Sequence, residues 1–134
     1  MNQTITKNLI IGPNRTRFLF KKLGKYFLAY EILVYQYMKL FCKDYQGGYW
    51  EFYTLSNGGF FMQYAKETSL NILSAGNYFE SIMSTEAASL GVNLFALNRL
   101  TWEAEDQKII DYYDQLKDYA MEHVESQLIA RWID

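Results

Sequence analysis

The sequence predicts an α+β fold: one compact domain over residues 1–134, with an antiparallel sheet of about four strands packed with helices. Two kinds of pattern carry this reading. Long segments at either end repeat their apolar residues with helical spacing, while residues 49–83 alternate short aromatic or β-branched runs with Gly- and Asn-containing turns. Composition supports a folded core. Half the residues are hydrophobic and 18% are aromatic, which argues against disorder, and the single proline leaves no linker-like stretch between domains.

Taken in order, residues 1–14 are expected to be loosely ordered. Their only apolar run, Leu9-Ile10-Ile11, is too short for a signal-peptide core. No segment reaches the roughly 20 apolar residues of a membrane span. The lone Cys42 fits a reducing compartment, so a cytoplasmic protein without membrane attachment is expected. Arg15, Arg17, Lys21, Lys22 and Lys25 follow as a basic cluster interleaved with Phe18, Leu19 and Phe20.

From about 25 to 44, Phe27, Tyr30, Leu33, Val34, Tyr37, Met38 and Phe41 recur at helical spacing, opposite Gln36, Lys39 and Lys43. Strands are predicted next, over 49–55 and 60–64. Asn57-Gly58 lies between them, where a chain reversal requires residues tolerant of positive φ. A second pair is predicted over 70–74 and 78–83 around Ala75-Gly76-Asn77, completing a four-stranded meander. Ser84 can cap the following helix, with Glu86 placed to favour its positive end. That helix carries apolar residues nearly all round its circumference and should be buried, with Gly91 permitting close packing.

The last helix is predicted as one element from about 105 to 131. Its core stripe is Ile109, Tyr113, Leu116, Ala120, Val124 and Leu128. Asp111, Asp114, Asp118, Glu122 and Glu125 then form an acidic line on the opposite side, a geometry that holds for a continuous helix. The net charge of −2 conceals an asymmetry: residues 1–50 carry +6 and residues 101–134 carry −6. Such a split fits either an electrostatic partner surface or oppositely charged elements packed together.

Signals for catalysis are poor. His123 is the single histidine and stands on the acidic helix as a surface or boundary residue, and nothing in the spacing brings Cys42 to it. Neither phosphate-binding glycine motif occurs. Carboxylates along one helix splay outward, whereas calcium needs six to eight converging oxygens. No catalytic residue, metal or cofactor is therefore assigned. Nucleic-acid binding by segment 15–25 is the alternative reading, but the overall charge does not favour it. Mimicry of duplex DNA fits no better. The acidic line spans ~21 Å of helix, a length over which DNA carries about a dozen charges, against five carboxylates.

The hairpin "DYQGGYWEFYTLSNGGFFM", Asp44 to Met62, resembles the signature of the ArdB/KlcA antirestriction family. "RTRFLFKKLGKYFLAYEILVYQYMKLFC" upstream and "NYFESIMSTEAASLGVNLFALNRL" downstream extend the likeness, as does the terminal Trp132-Ile133-Asp134, so that it covers residues 15–134. Phe20 and Gln63-Tyr64 depart from the family's pattern, which usually has prolines there. The resemblance implies an inhibitor carried by plasmids and other mobile elements that protects incoming unmodified DNA from host type I restriction. It further implies a compact α/β domain without a heavily acidic surface, and it transfers no catalytic residue. The expected partner is the host type I restriction enzyme complex or a factor controlling it, contacted by a monomer. Tyr49, Trp50, Tyr53 and Asn57 of the hairpin, together with Asp111, Asp114, Asp118, Glu122 and Glu125, are the candidate contact residues.

Overall fold

The middle of the fold is a helix that forms where the sequence places it. Ser84 ends a strand in extended conformation, and its hydroxyl accepts a hydrogen bond from the Ala87 N–H at 3.1 Å. The cap starts α3 (Thr85–Ala104), whose apolar residues are buried on nearly every side. Gly91 is needed for that burial. A Cβ there would come within 1.9 Å of the Trp132 ring, which packs against the bare backbone.

The computed structural model describes residues 4–134. Ahead of α3 come β1 (Lys7–Leu9), α1 (Asn14–Leu23), a 3-10 turn (Gly24–Tyr26) and α2 (Phe27–Phe41). Four strands follow: β2 (Trp50–Leu55), β3 (Phe60–Tyr64), β4 (Ser69–Ser74) and β5 (Phe79–Ser84). After α3 stand α4 (Gln107–Met121) and α5 (Ser126–Ile133). Segment 1–14, expected to be loosely ordered, thus contains a paired strand from Lys7. Residues 1–3 lie outside the described residues.

The α+β class and antiparallel pairing hold, and the four strands foreseen in the sequence are present. Their pairing is divided, however. β2 pairs with β3, with Trp50 opposite Tyr64 and Thr54 opposite Phe60, and β1 adds to the far side of β2. β4 and β5 form a separate two-stranded sheet. The reason lies in α3. Asn93, fully buried, lies against the open edge of β3. Its amide nitrogen donates to the Met62 carbonyl at 2.7 Å, and its amide oxygen accepts from the Met62 N–H at 3.0 Å. The Ser89 hydroxyl accepts from the Tyr64 N–H at 3.0 Å. Side chains of a buried helix thus satisfy the edge that a neighbouring strand would otherwise occupy.

Between β2 and β3 the turn also differs from expectation. Gly58 takes a positive φ of 96°, whereas Asn57 is not among the described residues with positive φ. Asn57 acts through its side chain, whose oxygen accepts from the Gly59 N–H at 3.1 Å. At the C-terminal end the predicted continuous helix is broken. α4 ends at Met121, and α5 begins at Ser126. Of the predicted core stripe Val124 is 94% exposed, and Tyr112, not Tyr113, is buried.

Candidate functional site

The hairpin turns most of its side chains inward. Trp50 is 2% exposed, so it offers no anchor to a partner. Its indole N–H donates to the Tyr45 hydroxyl at 3.0 Å, and its ring lies 5.4 Å from that of Tyr64 and 5.7 Å from that of Tyr35. Helices cover one face of the sheet there, so Trp50, expected from the sequence to meet a partner, packs inside instead. Tyr53 is half-buried and stacked on Phe61, with the Lys7 ammonium 4.4 Å above its ring. Burial, with the nearby Glu51 carboxylate, pushes its phenol pKa up. Asn57 is likewise occupied, its amide donating to the Gln115 carbonyl of α4 at 2.9 Å. Tyr49 alone of the four stands out from the surface, 59% exposed, with the Arg15 guanidinium 4.5 Å over its ring. Arg15 also lies 4.7 Å from the Phe52 ring and donates to the Trp50 carbonyl.

The acidic line is shortened by the helix break. Asp111, Asp114 and Asp118 are exposed on α4. Glu122 and Glu125 leave that face because the chain turns between α4 and α5. The Glu122 carboxylate accepts the backbone N–H groups of Thr4 and Ile5 at 2.9 and 3.0 Å, and the Thr4 hydroxyl at 2.7 Å. The Glu125 carboxylate accepts the Ser84 N–H at 3.0 Å and the Ser84 hydroxyl. These two residues tie the corner to the N-terminal segment and to the start of α3.

His123, read from the sequence as a surface or boundary residue, sits inside this corner with its side chain 9% exposed. Its Nδ1 accepts the Glu125 backbone N–H at 3.0 Å, which leaves Nε2 to donate to Glu86 at 2.9 Å. Glu86 also receives the Lys7 ammonium at 2.7 Å and the Tyr119 hydroxyl at 3.1 Å. Burial alone would raise the Glu86 carboxyl pKa. The hydrogen bonds from His123 and Lys7 outweigh it and hold that pKa down at about 2. Sequence reasoning placed Glu86 at the helix N-terminus but missed its partners, which come from β1 and the distant corner.

Chemically this corner is a satisfied polar junction. Its carboxylates face donors, and Cys42 is fully buried in the core. No group of three or more His, Cys, Asp or Glu able to hold a metal ion occurs among the described residues, nor does any helix long and apolar enough to cross a membrane. The open surfaces are of another kind. A groove of ≈ 800 Å³ runs between Gln36, Lys39 and Lys43 of α2 and its exit, and the loop 45–48. A second hollow, walled by Arg15, Glu31, Tyr35 and Tyr49, adjoins it at Tyr35 and Gly48. These concavities and the three aspartates of α4 are open to solvent.

Comparison with known proteins agrees with the architecture. Residues 43–134 match the family described as Antirestriction protein. An Escherichia coli antirestriction protein KlcA is 41% identical over 97% of this chain and 94% of its own length. A second Escherichia coli KlcA is 35% identical over 99% and 97%. One solved structure superposes with a TM-score of 0.91 at 37% identity, covering all of both chains. It comes from work on the KlcA and ArdB proteins, described as a novel fold with antirestriction activity against Type I DNA restriction systems in vivo but not in vitro.

Proposed function

The chain belongs to the antirestriction protein family, and from that premise we propose that it suppresses host type I restriction of incoming unmodified DNA through protein contacts and without catalysis. The observation that carries this reading is the end-to-end match, in sequence and fold, to a protein active against type I systems in cells. That relative's inactivity in vitro favours an indirect route, in which the protein engages a host factor that controls the restriction complex. Its site of action is the cytoplasm, where type I restriction acts on entering DNA.

Two features of the surface support contact with protein rather than imitation of DNA. The exposed acidic line now comprises Asp111, Asp114 and Asp118, spanning ~11 Å of helix, against about six charges on that length of duplex. Direct binding of DNA by segment 15–25 is also less favoured, because Arg15 is engaged by Trp50, Tyr49 and Phe52. Tyr49 and the three aspartates are the sequence candidates that remain exposed.

The test is the plating efficiency of unmodified phage on a restricting host, with modified phage and a restriction-deficient host as controls. Expression of this chain should raise plating on the restricting host alone. Changing Asp111, Asp114 and Asp118 together to Lys should cut that protection at least about tenfold, equivalent to ~1.4 kcal/mol of contact energy, while the melting temperature stays put. Full protection by the folded triple variant would remove the α4 face from the mechanism.

A further inference from the structure

α2 has the composition of a helix covered on all sides, yet one side has no cover. Among its 15 residues only Glu31, Gln36 and Lys39 carry a charge or an amide. Tyr30, Val34, Met38 and Phe41 face the core. On the outer side Leu28, Ile32 and Leu40 remain 54, 50 and 67% exposed. A surface helix ordinarily turns polar residues outward, and isolated exposed apolar residues need no explanation. Three on one side of the helix, over ~18 Å, make an apolar strip in which the exposed Gln36 and Lys39 are interspersed. Phe20, 59% exposed on α1, prolongs it by packing its ring edge-on against Phe27 at 5.7 Å.

The charges around the strip are mainly positive, with Glu31 at its edge and Asp44, exposed next to Lys43, as the exceptions. Lys25, Lys39 and Lys43 are exposed along it, and Lys21 stands beside Phe20. Glu31 lies at the strip's edge, where its carboxylate accepts the Tyr35 hydroxyl at 3.1 Å. At the C-terminal half the strip borders the ≈ 800 Å³ groove lined by Gln36, Lys39, Lys43 and Tyr45. We propose that this face docks an acidic amphipathic segment of a partner protein, apolar residues against Leu28, Ile32 and Leu40, carboxylates against the lysines. The inference rests on the reading above that the protein works through protein contacts.

Charge disfavours the other occupants. An antiparallel second copy that set Leu28 against Leu40 would set Lys25 against Lys43, and a parallel copy would set Lys39 against itself. Nucleic acid would satisfy the lysines but bury three aliphatic side chains against phosphates. A bilayer surface would leave the groove beside the strip unfilled.

A photoreactive benzoyl-phenylalanine placed at Ile32 or at Leu40, in the full chain expressed in a restricting host, tests the assignment. Glu67, exposed in the β3–β4 loop, serves as the control position. Both strip positions, and not the control, should cross-link to a protein peptide rich in Asp and Glu. Cross-linking to a second copy, to nucleic acid, to lipid, or to a peptide without acidic excess overturns the proposal. Lys39→Glu with Lys43→Glu should lower protection against restriction about tenfold, and Lys39→Gln with Lys43→Gln should lower it less, all with unchanged melting. Undiminished protection by the folded reversal variant also overturns it. Should the unaltered chain give no protection, the antirestriction reading fails, and the cross-linked peptide still decides the docking face.

Discussion

The aromatic hairpin and the corner between α4 and α5 were both conspicuous in the sequence, and they fold by opposite logic. In the hairpin, short-range chemistry sets the shape. Gly58 supplies the positive φ, the Asn57 side chain closes the turn onto Gly59, and alternation sorts the flanking residues between two faces. In the corner, distant residues set the shape. Residues 119–128 carry no proline or glycine, and helical periodicity runs straight through them. The helix breaks because Glu122, His123 and Glu125 each form bonds outside it, to Thr4 and Ile5, to Glu86, and to Ser84. Locally encoded bends announce themselves in turn residues; bends imposed by partners do not.

The contrast can be broken most sharply where the hairpin itself depends on a distant group. Asn93 serves both the Met62 N–H and carbonyl, accepts the buried Tyr30 hydroxyl, and donates to Ser89 of its own helix at 2.6 Å. Asn93→Ala would orphan several buried polar groups together, each worth about 1–3 kcal/mol. The expected loss is about 3 kcal/mol or more, read from urea or guanidinium denaturation. A loss below about 1 kcal/mol would mean that β3 holds its edge without α3.

An intermediate effect is expected at the corner and depends on pH. The folded Glu86 carboxyl lies near 2 against an ordinary 4.5. Its stabilising contribution is therefore fully present above pH 4.5 and is lost as pH falls through about 2. Because the site is partly open to solvent, about 1–2 kcal/mol is the appropriate size. Stability measured from pH 6 down to 2 should decline less steeply in Glu86→Gln than in the unaltered chain. Equal slopes would show that the Lys7–Glu86–His123 junction contributes nothing to folding.

The smallest effect belongs to the turn. Asn57→Ala removes the bond to Gly59 and the bond to Gln115 of α4, and should cost about 1 kcal/mol. Asn57→Asp keeps the local acceptor and loses only the donor to α4, so it separates the turn's own share from the tertiary one. If Asp restores nothing relative to Ala, the turn also depends chiefly on its distant partner, and the distinction between the two regions narrows.

Much of the interior was legible from particular residues. Ser84 and Glu86 marked the start of α3, its all-round apolar character marked its burial, and Gly91 marked a close approach that proved to be the Trp132 ring. α2 was visible from its period, with ends moved to Phe27 and Phe41 by the 3-10 turn before it and the extended Cys42 after it. The candidate contact residues were less legible. Trp50 and Tyr49 are adjacent aromatics in one strand region, yet one is buried and the other open. Exposure depends on which neighbour covers a face, and no residue type reports that.

By itself the sequence determined element types, the hairpin, the cap of α3 and membership of a family, because each rests on residues near one another or on the chain as a whole. Tertiary structure alone decided that β3 ends its sheet, that the acidic line stops at Asp118, and that the outer face of α2 stays open. Each of those outcomes hinges on a polar or apolar surface meeting, or failing to meet, a group far away in the chain. Backbone and carboxylate groups must find partners once buried, and which partner arrives first in space is a property of the packed molecule, not of any window of its sequence.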